Sequence, residues 1–322
     1  MTYKPPFSIT PKILSLSQSV FHELGTLSGA KLDSAPVRLR RENKIKTIQS
    51  SLAIEGNTLS LDQVSDLFDG KKVIGPKKDI LEVKNALELY NNLHNLNPLS
   101  QKDILTAHEL LVKDIEKEAG MWRSGNVGVF KGKELAHMAP PSKKVPGLMS
   151  DLFDYISKDT EVSWLLKGCV FHYEFEFIHP FSDGNGRIGR LWQQLLLMKE
   201  SPVFEYISVE ALIKENQRDY YDVLGICDAE GNSTKFIEFS LSLILLALKE
   251  LNKASTYTLK DAASRLTYAS TKLQNQYFSR KVYLEIHKDI SSATASRDLL
   301  YGLNNALLTK KGENNQIVYR FL

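Results

Sequence analysis

The sequence predicts a mainly α protein with two small β elements. Apolar residues recur at helical spacing over most of the chain, for example Ile188, Leu191 and Leu195. One stretch, residues 126–138, is instead rich in β-forming residues and carries a central glycine, which is typical of a hairpin. The 322 residues are 43% hydrophobic and 25% charged, which fits a globular chain with more than one domain.

The first region, residues 1–99, alternates helical patterns with short loops. The apolar residues of one such pattern are Ile45, Ile48 and Leu52. Gly56 stands where a glycine ends many helices, and residues 81–93 form another amphipathic segment. Ser100 is predicted to cap the next helix at its N-terminus.

The second region, residues 100–251, is predicted to form a mostly helical core. Pro140 and Pro141 end the predicted hairpin because proline cannot donate to a strand ladder. Downstream, residues 215–227 have an amphipathic helical pattern, and residues 236–248 form a hydrophobic helix that closes the core.

The third region, residues 257–322, is predicted to be a separate domain behind a small, polar linker at residues 252–256. Ser279 can cap a helix that runs to His287, and a second helix follows. The predicted apolar face of that second helix is Leu299, Leu300, Leu303 and Leu307. Residues 310–319 complete the domain as a hairpin.

The most informative segment is residues 179–190, His-Pro-Phe-Ser-Asp-Gly-Asn-Gly-Arg-Ile-Gly-Arg, which leads into a predicted helix. The N-terminus of a helix offers N–H groups and a favourable dipole to anions. Gly184 and Gly186 are expected to take positive φ and let the backbone approach a ligand, and Asn185 tolerates the left-handed conformation. The segment therefore predicts a phosphate-binding turn.

Four side chains of this segment carry chemistry. His179 can give and take a proton near neutral pH, and Asp183 is an oxygen ligand suited to Mg²⁺. Arg187 and Arg190 lie three residues apart on one helix face, and guanidinium groups suit phosphate. Each residue alone could be an ordinary loop or surface residue, but their coincidence in one short segment favours a magnesium-nucleotide site.

This segment resembles the signature of the Fic family, His-Pro-Phe-x-Asp/Glu-Gly-Asn-Gly-Arg-x-x-Arg, at every specified position. The resemblance implies a Fic-fold helical bundle with a β-hairpin flap, followed by a small C-terminal winged helix-turn-helix of α+β type. It also implies transfer of AMP from ATP to a Ser, Thr or Tyr hydroxyl of a protein, with ATP and Mg²⁺ as cofactors. His179 would be the base, Asp183 the Mg²⁺ ligand and Arg190 the contact to the distal phosphate. Residues 184–187 would complete the nucleotide site.

A second resemblance lies at residues 51–57, Ser-Leu-Ala-Ile-Glu-Gly-Asn. By spacing alone, Glu55 is an ordinary exposed glutamate, although its charge at a helix C-terminus calls for a nearby cation. The segment resembles the inhibitory motif of Fic proteins, Ser/Thr-x-x-x-Glu-Gly/Asn, in the class that carries it N-terminally. The resemblance implies that Glu55 pairs with Arg190 and so occupies the site that the distal phosphate of ATP needs. It also implies that Ser51 anchors the inhibitory helix. In some such proteins the same glutamate supports removal of AMP from the modified target, so de-AMPylation is a second activity that the sequence leaves open.

Further contacts follow from the same resemblance. The flap would hold an extended segment of the protein substrate, which can be the chain itself, by strand addition. The flap residues that would border the nucleotide are Leu135, Ala136, His137 and Met138. Tyr220 would lie near the adenine, and Asp228 stands where relatives often have an asparagine that binds the base or ribose.

The C-terminal region leaves an alternative open, a nucleotide-sensing transcriptional regulator that binds DNA through its winged helix. Arg297 is the base-reading cation of the predicted recognition helix, and Asp298 flanks it. The basic residues that could contact phosphate are Lys310, Lys311 and Arg320. This small basic surface favours a protein contact or a homodimer over DNA. A pure sensor would not need His179, and the unaltered Gly-Asn-Gly core disfavours transfer of phosphate or phosphocholine.

Composition limits the partners and the cellular compartment that are expected for the protein. The net charge of +3 is too small to identify a polyanionic partner. Cys169 and Cys227 are the only two cysteines and form no disulfide framework, which indicates a reducing compartment. The N-terminus lacks the apolar run of a signal peptide, and no apolar stretch is long enough for a bilayer. A cytoplasmic protein without membrane contact is therefore expected.

Overall fold

The structure, a computed structural model, describes residues 3–29, 37–131, 134–257, 262–273, 276–288, 290–312 and 317–322. The chain divides into two compact units, Met1–Leu248 and Lys249–Leu322. Helices dominate the architecture, so the mainly α prediction is confirmed. Within the described ranges, no helix combines the length and the apolarity needed to cross a membrane.

The first unit is built almost entirely of helices. Four precede the predicted core: α1 (Pro11–Gly29), α2 (Val37–Ile54), α3 (Leu61–Phe68) and α4 (Lys77–Asn91). The helices that follow are α5 (Gln101–Leu111), α6 (Val145–Lys158), α7 (Trp164–Ile178), α8 (Asn185–Glu200), α9 (Val209–Glu215), α10 (Gln217–Glu230) and α11 (Thr234–Tyr257). Short 3₁₀ turns occupy residues 93–95, 142–144 and 202–206.

Local sequence signals set several helix ends. The Ser100 hydroxyl accepts a hydrogen bond from the N–H of Asp103 at 3.2 Å, which confirms the predicted cap of α5. Helix α2 ends where Gly56 takes a φ of +93°, and the N–H of Asn57 then closes on the carbonyl of Leu52 at 3.1 Å. The glycine therefore turns the chain directly behind Glu55.

Helices α7 and α8 form the centre of the first unit. Both carry long runs of buried residues, including Phe171 and Phe175 on α7 and Trp192 on α8. The segment between them, residues 179–184, is consequently held on both sides by core helices. A loop fixed in this way can hold side chains in one geometry.

The predicted flap is a two-stranded antiparallel hairpin. Strand β1 (Gly128–Lys131) pairs with β2 (Glu134–Met138), with Gly128 opposite Met138 and an irregularity between Val129 and Phe130. Residues 132–133, with the predicted turn glycine, lie outside the described residues.

The second unit combines short helices with a small sheet. Its elements are α12 (Ala262–Leu273), β3 (Phe278–Ser279), α13 (Arg280–Ile286), α14 (Ser292–Asn304), β4 (Leu308–Lys311) and β5 (Val318–Phe321). The strands are antiparallel in the order β3-β5-β4, and Ser279 caps α13 as predicted. A cluster of buried side chains forms its core: Leu266, Ala269, Phe278, Tyr283, Ala295, Leu299, Leu308 and Phe321.

Two predictions for this part of the chain need correction. Residues 252–256, predicted as a small, polar linker, are helical, because α11 continues through them to Tyr257. The predicted apolar face of α14 is also incomplete. Leu299 is buried, but Leu300 is 57% exposed, and Leu307 lies beyond the helix and is 41% exposed. Adjacent leucines point about 100° apart on a helix, so both cannot face one core. The winged-helix assignment stays a prediction.

Candidate functional site

The site begins where α7 ends at His179. This residue has φ +49° and ψ +60°, the left-handed conformation, and its N–H bonds to the carbonyl of Phe175 at 2.9 Å. Positive φ is unfavourable for a residue with a side chain, so surrounding contacts must hold it. Arg123 does so, because its Nε donates to the carbonyl of His179 at 2.8 Å. The imidazole is thereby placed, partly exposed, at the exit of the helix.

Asn185 braces the loop that follows. Its Oδ1 accepts from the N–H of Phe181 and its Nδ2 donates to the carbonyl of Phe181, both at 2.8 Å. The ring of Phe181 stacks on His108, with centroids 3.6 Å apart and planes at 4°. Asn185 is buried and begins α8, so the left-handed conformation considered for it is wrong. Its side chain fixes the loop from within.

The two signature glycines act differently. Gly184 has a φ of +84° and caps α8, as predicted. Gly186 does not have positive φ, which corrects the prediction. It lies in the first turn of α8, where a Cβ would overlap Oε1 of Glu55 and come within 2.9 Å of Nη1 of Arg190. Gly186 therefore matters because it leaves room for an anionic group against the helix N-terminus.

Asp183 presents a carboxylate beside this helix start. Its Oδ1 accepts from the N–H of Gly184 at 2.6 Å and from Nη2 of Arg187 at 3.0 Å, and its side chain is 45% exposed. Burial raises the pKa of Asp183, but Arg187, the Gly184 N–H and Lys78 together outweigh burial and lower that pKa. The group is thus held ionised.

The residues present fit a magnesium ion that is shared with a bound phosphate. In the part of the chain that the structure describes, no group of three or more His, Cys, Asp or Glu side chains could hold a metal. Mg²⁺ commonly needs only one or two carboxylates when substrate phosphates and water complete its shell. Asp183 is a partly exposed, ionised carboxylate directly before the N-terminus of α8, which suits this mode.

Arg187 occupies a different place from the one predicted. Its side chain is only 5% exposed and lies between two carboxylates, with Nη2 at 3.0 Å from Asp183 and Nη1 at 3.5 Å from Oε1 of Glu82. The first contact joins Asp183, in the loop, to Arg187, in the first turn of α8. In this conformation the guanidinium positions acidic groups and offers little surface to a phosphate.

Arg190 makes the contacts that the resemblance implies. Its Nη2 lies 2.7 Å from Oε1 of Glu55 and 3.1 Å from the carbonyl of Ser51, and its Nε lies 3.2 Å from the Ser51 hydroxyl. Arg190 is almost fully buried, whereas the Glu55 side chain is 35% exposed. Burial lowers the pKa of Arg190, but Glu55 and other anionic neighbours outweigh it and the pKa is raised. The guanidinium therefore stays charged.

The site contains two buried residues that the sequence did not single out. Nε2 of His108 contacts the carbonyl of Asp183 at 3.0 Å, and its Nδ1 accepts from the N–H of Gly120 at 3.0 Å. Burial lowers the pKa of His108 to about 4, so the ring is neutral and Nε2 is the donor. Arg123 binds the carbonyls of Gly125 and Pro140 besides that of His179. No spacing or motif marks either residue, because each acts on backbone distant in sequence.

Tyr220, which is predicted to lie near the adenine, is only 1% exposed. Its hydroxyl lies 3.0 Å from Nε2 of His172, inside the core, so its ring offers no open face in this conformation. Tyr221, which is 39% exposed, is the accessible member of the pair. Asp228 accepts a hydrogen bond from the hydroxyl of Tyr173 at 3.0 Å.

The flap residues are only partly described. Met138 is 64% exposed at the end of β2. The side chains of Leu135, Ala136 and His137 lie outside the described part of the chain. Their predicted contacts to a nucleotide stay predictions.

Comparison with known families and structures places these features in context. The sequence model of the Fic/DOC family matches residues 98–197. The crystal structure of a Fic family protein from Desulfovibrio desulfuricans G20 is 38% identical, has a TM-score of 0.77, and covers 99% of this chain and 98% of its own. The structure of Fic-1 (residues 134–508) from C. elegans covers 75% of this chain and 72% of its own, with a TM-score of 0.63 and 22% identity, and supports the fold alone.

Curated relatives are similar over part of their length. "Protein adenylyltransferase Fic" from Culex quinquefasciatus is 31% identical over 242 residues, which is 69% of this chain and 45% of the relative. The protein of the same name from Nematostella vectensis is 30% identical over 246 residues, which is 71% of this chain and 55% of the relative. The chain thus spans about half the length of these two relatives.

Proposed function

The chain belongs to the Fic family, and we propose that it is a protein adenylyltransferase that Glu55 holds in an inhibited state. Under this proposal it transfers AMP from ATP to a Ser, Thr or Tyr hydroxyl of a protein. The observation that carries the proposal is the loop between α7 and α8, which brings His179, Asp183 and the N-terminus of α8 together. The names of the curated relatives, which are adenylyltransferases, support it.

The N-terminus of α8 is the proposed binding site for the phosphates of ATP. Its first N–H groups and dipole attract anions, and Gly186 carries no side chain to block their approach. Arg190 would hold the distal phosphate, since its guanidinium lies against the same turn. Asp183 would bind a magnesium ion, which neutralises charge on the phosphates.

His179 would be the general base of the transfer. The hydroxyl of the target gives its proton to the imidazole, its oxygen bonds to the α-phosphorus of ATP, and the bond to pyrophosphate breaks. The contacts of Arg123 and Asn185 hold the loop in position, and positioning supplies much of the rate in phosphoryl-type transfer.

Inhibition follows from the place that Glu55 occupies. Its carboxylate neutralises Arg190 and covers the turn at Gly186 where a phosphate would lie. A phosphate in the same position would overlap the Glu55 carboxylate and be repelled by it, because both groups are negatively charged. ATP would therefore bind with its distal phosphates displaced, in a pose unsuited to in-line attack.

The protein substrate would dock on the flap. Strand β2 can pair with an extended segment through its main chain, as in other cases of strand addition. A second copy of this chain or the chain itself can supply that segment, and a cytoplasmic setting is proposed for the reaction.

The proposal is tested with Glu55→Gly, Glu55→Asp and His179→Ala proteins incubated with MgATP. Glu55→Gly is expected to raise self-modification at least tenfold, and mass spectrometry should find the mass of AMP on a Ser, Thr or Tyr. Glu55→Asp keeps the charge but retracts it by one methylene, so an intermediate rate is expected. Adding His179→Ala to Glu55→Gly should abolish the product. A Glu55→Gly protein without AMP transfer to itself or to proteins of a cell lysate would overturn the proposal.

A further inference from the structure

We propose that Glu82 is a positioning residue that frees Asp183 for the magnesium ion, by holding the guanidinium that would otherwise occupy it. The inference rests on the proposed function, since it concerns the same nucleotide site. It begins from the position of Arg187 between two carboxylates, one in the signature loop and one on α4.

The two carboxylates that contact Arg187 differ in their surroundings. Asp183 is 45% exposed and faces the nucleotide side, whereas the Glu82 side chain is only 10% exposed. Arg187 itself is buried, with Nη2 on Asp183 at 3.0 Å and Nη1 on Glu82 at 3.5 Å. The stronger of the two contacts is thus made to the residue that would have to bind the metal.

Glu82 is fixed in place by other residues. Its Oε2 accepts from Nδ2 of Asn57 at 2.8 Å, and Nζ of Lys78 lies 3.8 Å from its Oε1. Asn57 is part of the turn that ends α2 directly behind Glu55. One carboxylate therefore connects the segment that carries the inhibitory glutamate to the arginine of the signature loop.

The role of Glu82 follows from the energetics of a buried charge. A guanidinium out of water must keep a carboxylate partner, because an uncompensated buried charge is strongly destabilising. When Asp183 turns towards a cation, Glu82 can remain with Arg187. Without the Glu82 charge, Asp183 would have to stay with Arg187, and the positive guanidinium would also repel the metal. Loss of that charge should therefore weaken the magnesium site while leaving its ligand unchanged.

The test compares Glu82→Gln with its parent, the Glu55→Gly protein. Glutamine keeps the size and can still accept the bond from Asn57, but it removes the charge. The dissociation constant of ATP is measured by calorimetry over a series of magnesium concentrations and in EDTA. Glu82→Gln should shift the magnesium midpoint upward by about 10–100-fold, the usual effect of losing an outer partner of a metal ligand. Binding of ATP in EDTA should change less than about twofold, which separates the effect from general damage.

Two comparisons test whether Glu82 acts on the magnesium midpoint through Arg187. Glu88→Gln removes an exposed charge from the same helix and should leave the magnesium midpoint unchanged. In an Arg187→Met background, Glu82→Gln should have no further effect on the midpoint, because Glu82 acts through that guanidinium. An equal shift in both backgrounds would overturn the proposed route.

The outcomes separate this inference from the proposed function. A parent protein that binds no ATP in the presence of magnesium would overturn both. A parent that binds and transfers AMP, together with a Glu82→Gln protein of unchanged magnesium midpoint, would overturn the inference alone. Should Glu82→Gln fail to fold, Glu82→Asp decides the matter. That variant withdraws the carboxylate from Arg187 and should raise the midpoint several-fold, and a parent-like value would refute the role of Glu82.

Discussion

The carboxylate of Glu55 lies 2.7 Å from the guanidinium of Arg190, across the first turn of α8. Glu55 directly follows α2 and Arg190 lies in α8, far away in sequence, yet their contact fills the space that Gly186 leaves at the N-terminal end of α8. The same end is proposed to receive the phosphates of ATP. Under the proposed function, the pair would compete with the nucleotide for this end of α8, and a stronger pair would inhibit the protein more.

Gly186→Ala tests the closeness of this contact. An added Cβ would overlap Oε1 of Glu55, so the free energy of unfolding should fall by about 1–3 kcal/mol, as for other overpacked sites. In a Glu55→Gly background the overlap with Glu55 is removed and only the close contact with Nη1 of Arg190 remains, so the loss should be smaller by at least about 1 kcal/mol. Urea denaturation of the four proteins measures the difference. Gly147→Ala, whose Cβ would meet no atom within 4 Å, is the control. Equal losses in both backgrounds would contradict the structure.

Ser51→Ala tests the anchor of the inhibitory segment. The change removes the hydroxyl that accepts from Nε of Arg190, while the carbonyl of Ser51 and Glu55 keep their contacts. A buried donor left without its acceptor costs about 1–3 kcal/mol. The rate of AMP transfer should rise above that of the unmodified protein but stay below that of Glu55→Gly. Ser50→Ala, a buried neighbour on the same helix, should change the rate little. A rate unchanged by Ser51→Ala would show that the hydroxyl does not restrain Arg190.

The sequence located much of the site because its chemistry is contiguous. His179, Asp183, Gly184 and Arg190 all lie in one short segment, where spacing and residue type predict a loop before a helix. Glu55 was found only through resemblance to an inhibitory motif, since its spacing alone suggests an exposed glutamate.

What the sequence missed depends on long-range contacts. His108 and Arg123 bind backbone carbonyls of the signature loop, and carbonyl positions leave no mark in a residue pattern. Which tyrosine is exposed depends on which face of α10 is turned to the core, and that face carries Tyr220, not Tyr221. Residues 252–256 read as a linker because they are small and polar, but nothing in them stops a helix.

Arg123→Met is expected to slow AMP transfer by disturbing the backbone at His179. Methionine keeps much of the apolar bulk but removes the donors to the carbonyls of His179, Gly125 and Pro140. A small misplacement of a catalytic group can reduce a rate by about 100-fold. In the Glu55→Gly protein, kcat should therefore fall at least tenfold, with a smaller change in the KM for ATP. Arg297→Met, which removes an exposed arginine from the second compact unit, is the control. An unchanged kcat would rule out the positioning role of Arg123.

The buried carboxyl of Glu174 makes stability depend on pH. Burial is the main reason that the pKa of Glu174 is raised to about 7, and the nearby charge of Asp228 also raises it. The hydroxyl of Tyr3, which donates to Oε2 of Glu174 at 3.0 Å, has a smaller effect in the opposite direction. Between the ordinary value of 4.5 and about 7, the folded protein keeps a proton that the unfolded chain has released. Stability therefore falls as pH rises through this window.

Glu174→Gln should remove this dependence, because an amide does not ionise and its oxygen can still accept from Tyr3. Since one pKa unit corresponds to about 1.4 kcal/mol, the variant should be more stable than its parent at pH 8 by on the order of 1–3 kcal/mol. The difference should shrink towards pH 5, where the parent carboxyl is protonated in the folded state. Thermal unfolding at both pH values measures it, and Glu161→Gln, which removes an exposed carboxylate, is the control. If Glu174→Gln and its parent lose stability equally from pH 5 to pH 8, the folded protein does not hold a proton on Glu174 in that window.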